Sequence, residues 1–250
     1  MNRLCTFTLL LFLIASCTPS THHQNTDKIA QAIKKEGEAY LIQGNHTAAL
    51  AKFIEAAKLT PGDPYLQNNL GIAYMRKKEY SLAGKSFAKA LSLKPDFTEA
   101  RNNMGAAYLL QEKWDTAISQ FNIVLEDLIY PTPHYPLANI GWAYLEKGNY
   151  SKAQTYFIKA LDEFPVFIKA HHGLAQVYIR TAQTERAIDY LQGIIQRFPN
   201  AAILHADLAE VYEDRGEIRQ AIQAWRIVAK LSPLHTGLFR TAQKRLRALN

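Results

Sequence analysis

The amino-acid sequence predicts an all-α solenoid, a row of stacked helical hairpins, from three observations. One pattern of small, aromatic and breaker residues recurs every 34 positions. Gly71, Tyr74, Ala83, Phe87, Ala90 and Pro95 are matched one period earlier by Gly37, Tyr40, Ala49, Phe53, Ala56 and Pro61. Within each period the apolar and small residues fall at helical spacing on both sides of a short break, as in Leu70, Gly71 and Tyr74, then Leu82, Ala83, Phe87 and Ala90. Each period also carries its own punctuation. Asp63 followed by Pro64 reads as an N-cap and first-turn pair, and Pro95 ends the second helix by removing a backbone donor and restricting Lys94. Neither helix of a pair can bury its apolar face alone, so neighbours have to stack and share one continuous core.

The frame runs forward through Gly105, Tyr108, Ala117, Phe121 and Val124, slips by two residues, and resumes at Gly141, Tyr144, Ala153, Phe157, Ala160 and Pro165. It then continues as Ala175, Tyr178, Ala187, Leu191, Ile194 and Pro199, and as Ala209, Tyr212, Ala221, Trp225, Val228 and Pro233. A small residue at the eighth position, Tyr at the eleventh, Ala at the twentieth and Pro at the thirty-second resembles the tetratricopeptide (TPR) pattern. That resemblance implies a right-handed TPR superhelix of six helix-turn-helix repeats: 30–63, 64–97, 98–133, 134–167, 168–201 and 202–235. Small residues such as Gly71 and Ala83 let the two helices of a hairpin approach, while Tyr74 and Phe87 fill the space toward the next hairpin.

Met1-Asn2-Arg3 followed by the apolar run Leu4 to Ala15 has the layout of a secretory signal peptide (1–16), too short to span a bilayer comfortably. Ile14-Ala15-Ser16-Cys17 resembles a bacterial lipobox, which implies lipidation of Cys17. The only other cysteine is Cys5, so an exported Cys17 would otherwise be a lone thiol in an oxidising compartment. By the bacterial sorting pattern, Thr18 after the Cys points to the outer membrane. The polar stretch that follows (17–29) reads as a flexible tether, and His22-His23 as part of it rather than a metal site. The first repeat carries Lys34, Lys35, Glu36 and Glu38 on its first helix, which suits an end unit. Between the third and fourth repeats, Pro131, Pro133 and Pro136 predict a rigid extended connector with Tyr130 and Tyr135, either a partner site or a spacer for the register change. Beyond His235 (236–250), Leu238, Ala242, Leu246 and Leu249 predict a C-terminal capping helix.

Hydrophobic content of 48% supports a sizeable core and excludes a disordered class. A net charge of +7 admits nucleic acid or anionic membranes as partners. The basic residues are spread over all repeats, with only Arg240, Lys244, Arg245 and Arg247 clustered, so they read as solvated helix faces and no nucleic-acid partner is expected. There is no nucleophile motif, His-Glu-x-x-His or phosphate-binding glycine loop, and His171-His172 lacks a Glu at metalloprotease spacing. The chain reads as a non-enzyme with no cofactor, metal or small-molecule substrate.

Function then falls to the inner curve, which in TPR arrays is lined by the first helices. The resemblance places Tyr65, Asn68, Ile72, Met75, Asn102, Ala106, Leu109, Tyr135, Trp142 and Leu145 there, an apolar and aromatic strip suited to capturing a polypeptide; Ile72 and Leu109 could instead tuck between helices. A carboxylate clamp needs Lys and Asn in the first unit and Lys with Lys or Arg in the third; the chain offers Lys34 but Glu38, then Glu99 and Asn103, and acidic residues where a carboxylate should dock argue against capture of chaperone tails. Lipobox, tether, six repeats, a proline-rich slip and a cap together resemble the outer-membrane pilotin family of type IV pilus systems (the PilF, PilW and Tgl type). The resemblance implies a lipid-anchored outer-membrane protein facing the periplasm that assists multimerisation and localisation of a secretin subunit. A lipoprotein adaptor for peptidoglycan hydrolases or outer-membrane protein assembly is the alternative.

Overall fold

A computed structural model describes residues 21–249; the expected signal peptide (1–16) and the expected lipidation site Cys17 lie outside the described residues. Among them are thirteen helices: α1 (Thr21–Ile42), α2 (His46–Leu59), α3 (Pro64–Arg76), α4 (Tyr80–Leu93), α5 (Thr98–Leu109), α6 (Trp114–Leu125), α7 (His134–Glu146), α8 (Tyr150–Glu163), α9 (Ile168–Arg180), α10 (Thr184–Arg197), α11 (Ala202–Asp214), α12 (Ile218–Leu231) and α13 (Gly237–Leu249). They form the expected right-handed solenoid of six hairpins and a cap. Each odd-numbered helix packs on its even partner and on the helix pairs either side, and consecutive odd helices from α1 to α11 also touch each other. The odd helices therefore make the inner row of the curve.

The spacing inside the first four hairpins is set by an aromatic ring lying on a glycine. A Cβ on Gly37, Gly71, Gly105 or Gly141 would stand 2.4–2.7 Å from the ring of Phe53, Phe87, Phe121 or Phe157 respectively. Each of these four phenylalanines is fully buried. Phe87 also packs against Met104 and Ala107 of α5, so one side chain joins a hairpin to its successor. Phe157 goes further, since a Cβ on Gly173 in the next first helix would lie 2.3 Å from the same ring. In the fifth repeat both partners change together: Ala175 replaces the glycine and Leu191 the phenylalanine.

The turn between paired helices is the same in every repeat. The carbonyl of the eleventh-position Tyr accepts a six-to-one bond from the residue five further on, as in Asn45 N–H to Tyr40 at 2.9 Å, Asn149 N–H to Tyr144 at 2.8 Å and Gln183 N–H to Tyr178 at 2.9 Å. That closure needs a left-handed residue in between. Gly44, Gly148 and Gly216 supply it at no steric cost, whereas Lys78, Glu112 and Ala182 hold φ of 63°, 60° and 54°.

Several expectations are met in detail. The Asp63 carboxylate accepts from the N–H of Tyr65 (2.8 Å) and Leu66 (3.2 Å) with Pro64 in the first turn, and α4 stops at Leu93 with an extended Lys94 before Pro95. Cap helix α13 buries Ala242 and lays Leu238, Leu246 and Leu249 on the cluster around Trp225. Two expectations need correction. Helix α1 starts at Thr21, so most of the supposed tether is helical; polar residues reach helix spacing there without an apolar signal to announce it. The proline connector ends at Pro133, and Pro136 lies inside the first turn of α7, where no intrahelical acceptor awaits its missing N–H.

Two substitutions test this account by urea unfolding. Gly71→Ala should cost about 1–3 kcal/mol, and Gly71→Ala with Phe87→Leu should cost less than the sum of the single changes by about 1 kcal/mol; strict additivity would refute the ring-on-glycine contact. Ala182→Gly should stabilise by up to about 1 kcal/mol by releasing the left-handed strain.

Candidate functional site

The inner wall is crossed by a ladder of polar contacts, each rung joining one first helix to the next. Asn69 Nδ2 donates to Glu38 Oε1 at 2.8 Å, and Asn103 Nδ2 to Asn68 Oδ1 at 3.0 Å. Lys169 Nζ donates to Asn139 Oδ1 at 2.5 Å. His172 Nδ1 donates to the Asp207 carboxylate at 2.7 Å, and Gln176 Nε2 to its other oxygen at 2.9 Å. The sixth-position Asn or Asp takes part in every rung, because it faces the preceding or following first helix rather than the open groove. Burial pushes the Asp207 carboxyl above its usual range against the opposing pull of His172 and Gln176. Lys169 is exposed as a residue, but crowding of its ammonium away from water lowers its pKa to about 8.

The candidate groove residues divide. Tyr65 (50% exposed) and Tyr135 (44%) stand at the starts of α3 and α7, open to solvent. Tyr65 meets Phe97 edge-on at 5.0 Å and accepts from Lys94 Nζ at 2.9 Å; Tyr135 packs on His134 and Phe167 at 4.5 and 5.1 Å. Trp142 is half-buried between Phe157 (5.5 Å) and His172 (5.0 Å), while Ile72, Met75, Ala106 and Leu109 are half-buried against the clusters around Phe87 and Phe121. Trp142 Nε1 and Asn102 Oδ1 are buried with no hydrogen-bond partner among the described residues. Two assignments are corrected. Leu145 is 1% exposed and belongs to the core that α7 shares with α8 and α9, and Asn68 is buried with its oxygen committed to Asn103. The adjacent His171 and His172 diverge. His171 donates from Nε2 to the Pro165 carbonyl (3.0 Å) and accepts the Tyr190 hydroxyl at Nδ1 (2.6 Å). Burial lowers the His171 pKa and raises that of Tyr190, which keeps both neutral in this arrangement.

That contact belongs to a second repeating device, missed in the sequence. The fourth-position side chain of a repeat closes on the carbonyl of the preceding repeat's proline: Gln67 on Pro61 (3.4 Å), Arg101 on Pro95 (3.1 Å), His171 on Pro165 (3.0 Å) and His205 on Pro199 (2.9 Å). At the slip the equivalent residue is Leu137, which has no side-chain hydrogen bond to give. Helix α6 also stops early, at Leu125. A cavity of about 430 Å³ opens there, lined by Leu128, Tyr130, Pro133, Leu137 and Glu163 among others, with Leu128 (96%) and Ile129 (89%) turned outward.

Family models described as tetratricopeptide repeat match residues 64–97 and 144–202, and one described as TPR repeat matches 37–78. These are tetratricopeptide repeats. The TPR solenoid is similar in fold to PilW, a type IV pilus biogenesis factor, at 21% identity and a TM-score of 0.71, covering 86% of this chain and 98% of that one. It is also similar to PilF of Pseudomonas aeruginosa, at 22% identity and a TM-score of 0.64, covering 88% and 99%. Among curated proteins, the CTR9 homolog of Arabidopsis thaliana is 23% identical over 113 residues, 44% of this chain but 10% of that protein, so the TPR chain aligns with a tenth of that relative's length. The chain is thus an array of TPR units similar in fold to type IV pilus biogenesis factors.

The lowered Lys169 ammonium gives a test of the wall's geometry. At pH 8 about half of Lys169 is neutral, against under roughly 1% of an ordinary lysine. Limiting amine-reactive ester at that pH should therefore modify Lys169 before other lysines, read by peptide mass spectrometry; uniform labelling would contradict the crowding described.

Proposed function

We propose that this TPR chain is a non-catalytic, lipid-anchored scaffold of the bacterial outer membrane that holds a secretin subunit during type IV pilus biogenesis. The observation that carries the reading is co-extension. PilW and PilF each match the array from end to end, with 98% and 99% of their chains covered, rather than sharing a few repeats with it. The exposed Tyr65 and Tyr135 at the rim of the inner wall and the half-buried Trp142 deeper in it supply aromatic anchors of the kind that dominate peptide capture. The ladder keeps the wall rigid, so binding loses little freedom on the scaffold side. Acyl chains on Cys17 would hold the scaffold at the periplasmic face of the membrane and raise the local concentration of captured subunits there. No described helix is long and apolar enough to cross a membrane.

In cells, deletion of the gene should leave secretin monomeric or misplaced, and Tyr65→Ala with Tyr135→Ala should reduce co-isolated secretin at least tenfold while the solenoid stays folded by circular dichroism. Fully assembled secretin in the deletion strain, or murein hydrolases in place of secretin among co-isolated proteins, overturns the reading. Cys17→Ser should abolish incorporation of a palmitate analogue.

A further inference from the structure

Carboxylate side chains stop at Glu217. From Ile218 to Asn250 the sequence holds seven Lys and Arg and no Asp or Glu, so the chain's entire net charge of +7 lies in its last two helices and residues 1–217 are balanced. The even spread of basic residues hides this, because it is the acids that are uneven.

The structure arranges these cations on an open surface. Helix α13 turns Leu238, Ala242, Leu246 and Leu249 onto the last repeat. Its outer face presents Arg240, Lys244 and Arg247 in a row about 10 Å long, beside the half-buried Phe239, around a shallow concavity of about 520 Å³. None of the three cations has an ion-pair partner within 4 Å among the described residues; Arg245 alone turns back, to Glu213 at 3.4 Å. Arg219, Arg226 and Lys230 on α12 are likewise exposed, with Ile227 and Leu234 exposed near them in the chain.

We infer that this terminal face docks on the surface of an anionic phospholipid bilayer. A cap that served only to solvate the last repeat would mix charges, since like charges three and four residues apart on one helix repel each other. A single-sign row with no counter-charge needs one from outside. The concavity among these cations is shallow and open, so the face fits a laterally extended anion rather than a shaped one. The aromatic and aliphatic groups among the cations suit the headgroup boundary, where apolar side chains dip while Lys and Arg meet phosphates. The inference does not depend on lipidation of Cys17 or on the partner held by the inner wall.

The test uses the chain from Thr21 onward, which keeps the whole solenoid because every apolar cluster is built from residues between Ile33 and Leu249. Sedimentation with phosphatidylethanolamine vesicles containing about a quarter phosphatidylglycerol should recover at least tenfold more protein than pure phosphatidylcholine vesicles, and the difference should collapse between about 0.1 and 0.5 M salt. Arg240→Gln, Lys244→Gln and Arg247→Gln together should lower vesicle binding at least tenfold with an unchanged thermal melt, whereas Lys85→Glu with Lys89→Glu on α4 should retain it. Equal recovery on both vesicle types, a triple variant that binds like the parent, or binding to polyglutamate or duplex DNA without binding to vesicles would each overturn the proposal.

Discussion

The first four hairpins of this array rest on a phenylalanine ring packed against a glycine backbone. The contact replaces a side chain on one helix with the face of an aromatic from its partner, which brings the two axes close and fixes their relative rotation. Because the same ring touches the following first helix, as Phe157 does at both Gly141 and Gly173, the geometry inside a hairpin and the geometry between hairpins are one constraint. Curvature follows, since a wedge repeated at constant angle can only bend one way, and the first helices are left facing each other along the inside.

The inner row then has to satisfy polar side chains at close quarters, and the ladder from Glu38 to Asp207 does so. A buried hydrogen bond that stands alone adds little net stability, but leaving either partner without the other costs more. The rungs therefore act mainly by excluding alternative registers between repeats. Where the register does change, at the slip, the proline-carbonyl closure is absent and a cavity with two exposed aliphatics takes its place. Regularity and irregularity at that point have one origin: Leu137 stands where the other inter-repeat joints place a Gln, an Arg or a His.

The repeat count, the helix boundaries around Asp63-Pro64 and Pro95, and the cap were legible because they depend on residue types that act locally: proline denies a donor, aspartate accepts one, and small residues mark close approach. Other features were not. The left-handed position of each turn is occupied by Lys78, Glu112 and Ala182 in half the repeats, and none of these announces positive φ. Leu145 and Asn68 occupy positions that the TPR pattern assigns to the groove, but a side chain on the edge between groove and helix interface is claimed by whichever neighbour reaches it, and here α9 and Asn103 do. The extension of α1 back to Thr21 comes from polar residues whose helicity leaves no apolar stripe to read.

Charge segregation changes how the solenoid has to be pictured. A balanced body from residue 1 to 217 followed by a purely cationic end concentrates the net charge at one end of the chain, where Glu210 and Glu213 of α11 lie within electrostatic reach of Arg245 on α13. Internal neutralisation is geometrically at hand, yet only Arg245 among the α13 cations takes it. The others are held away by the same amphipathic register that buries Ala242 and packs Leu238 and Leu246 on the last repeat, so hydrophobic packing of the cap dictates that its cations face outward. The inner wall and the terminal face are thus chemically distinct surfaces, one aromatic and hydrogen-bonded, the other cationic and open, and a polypeptide suited to the first would gain nothing from the second.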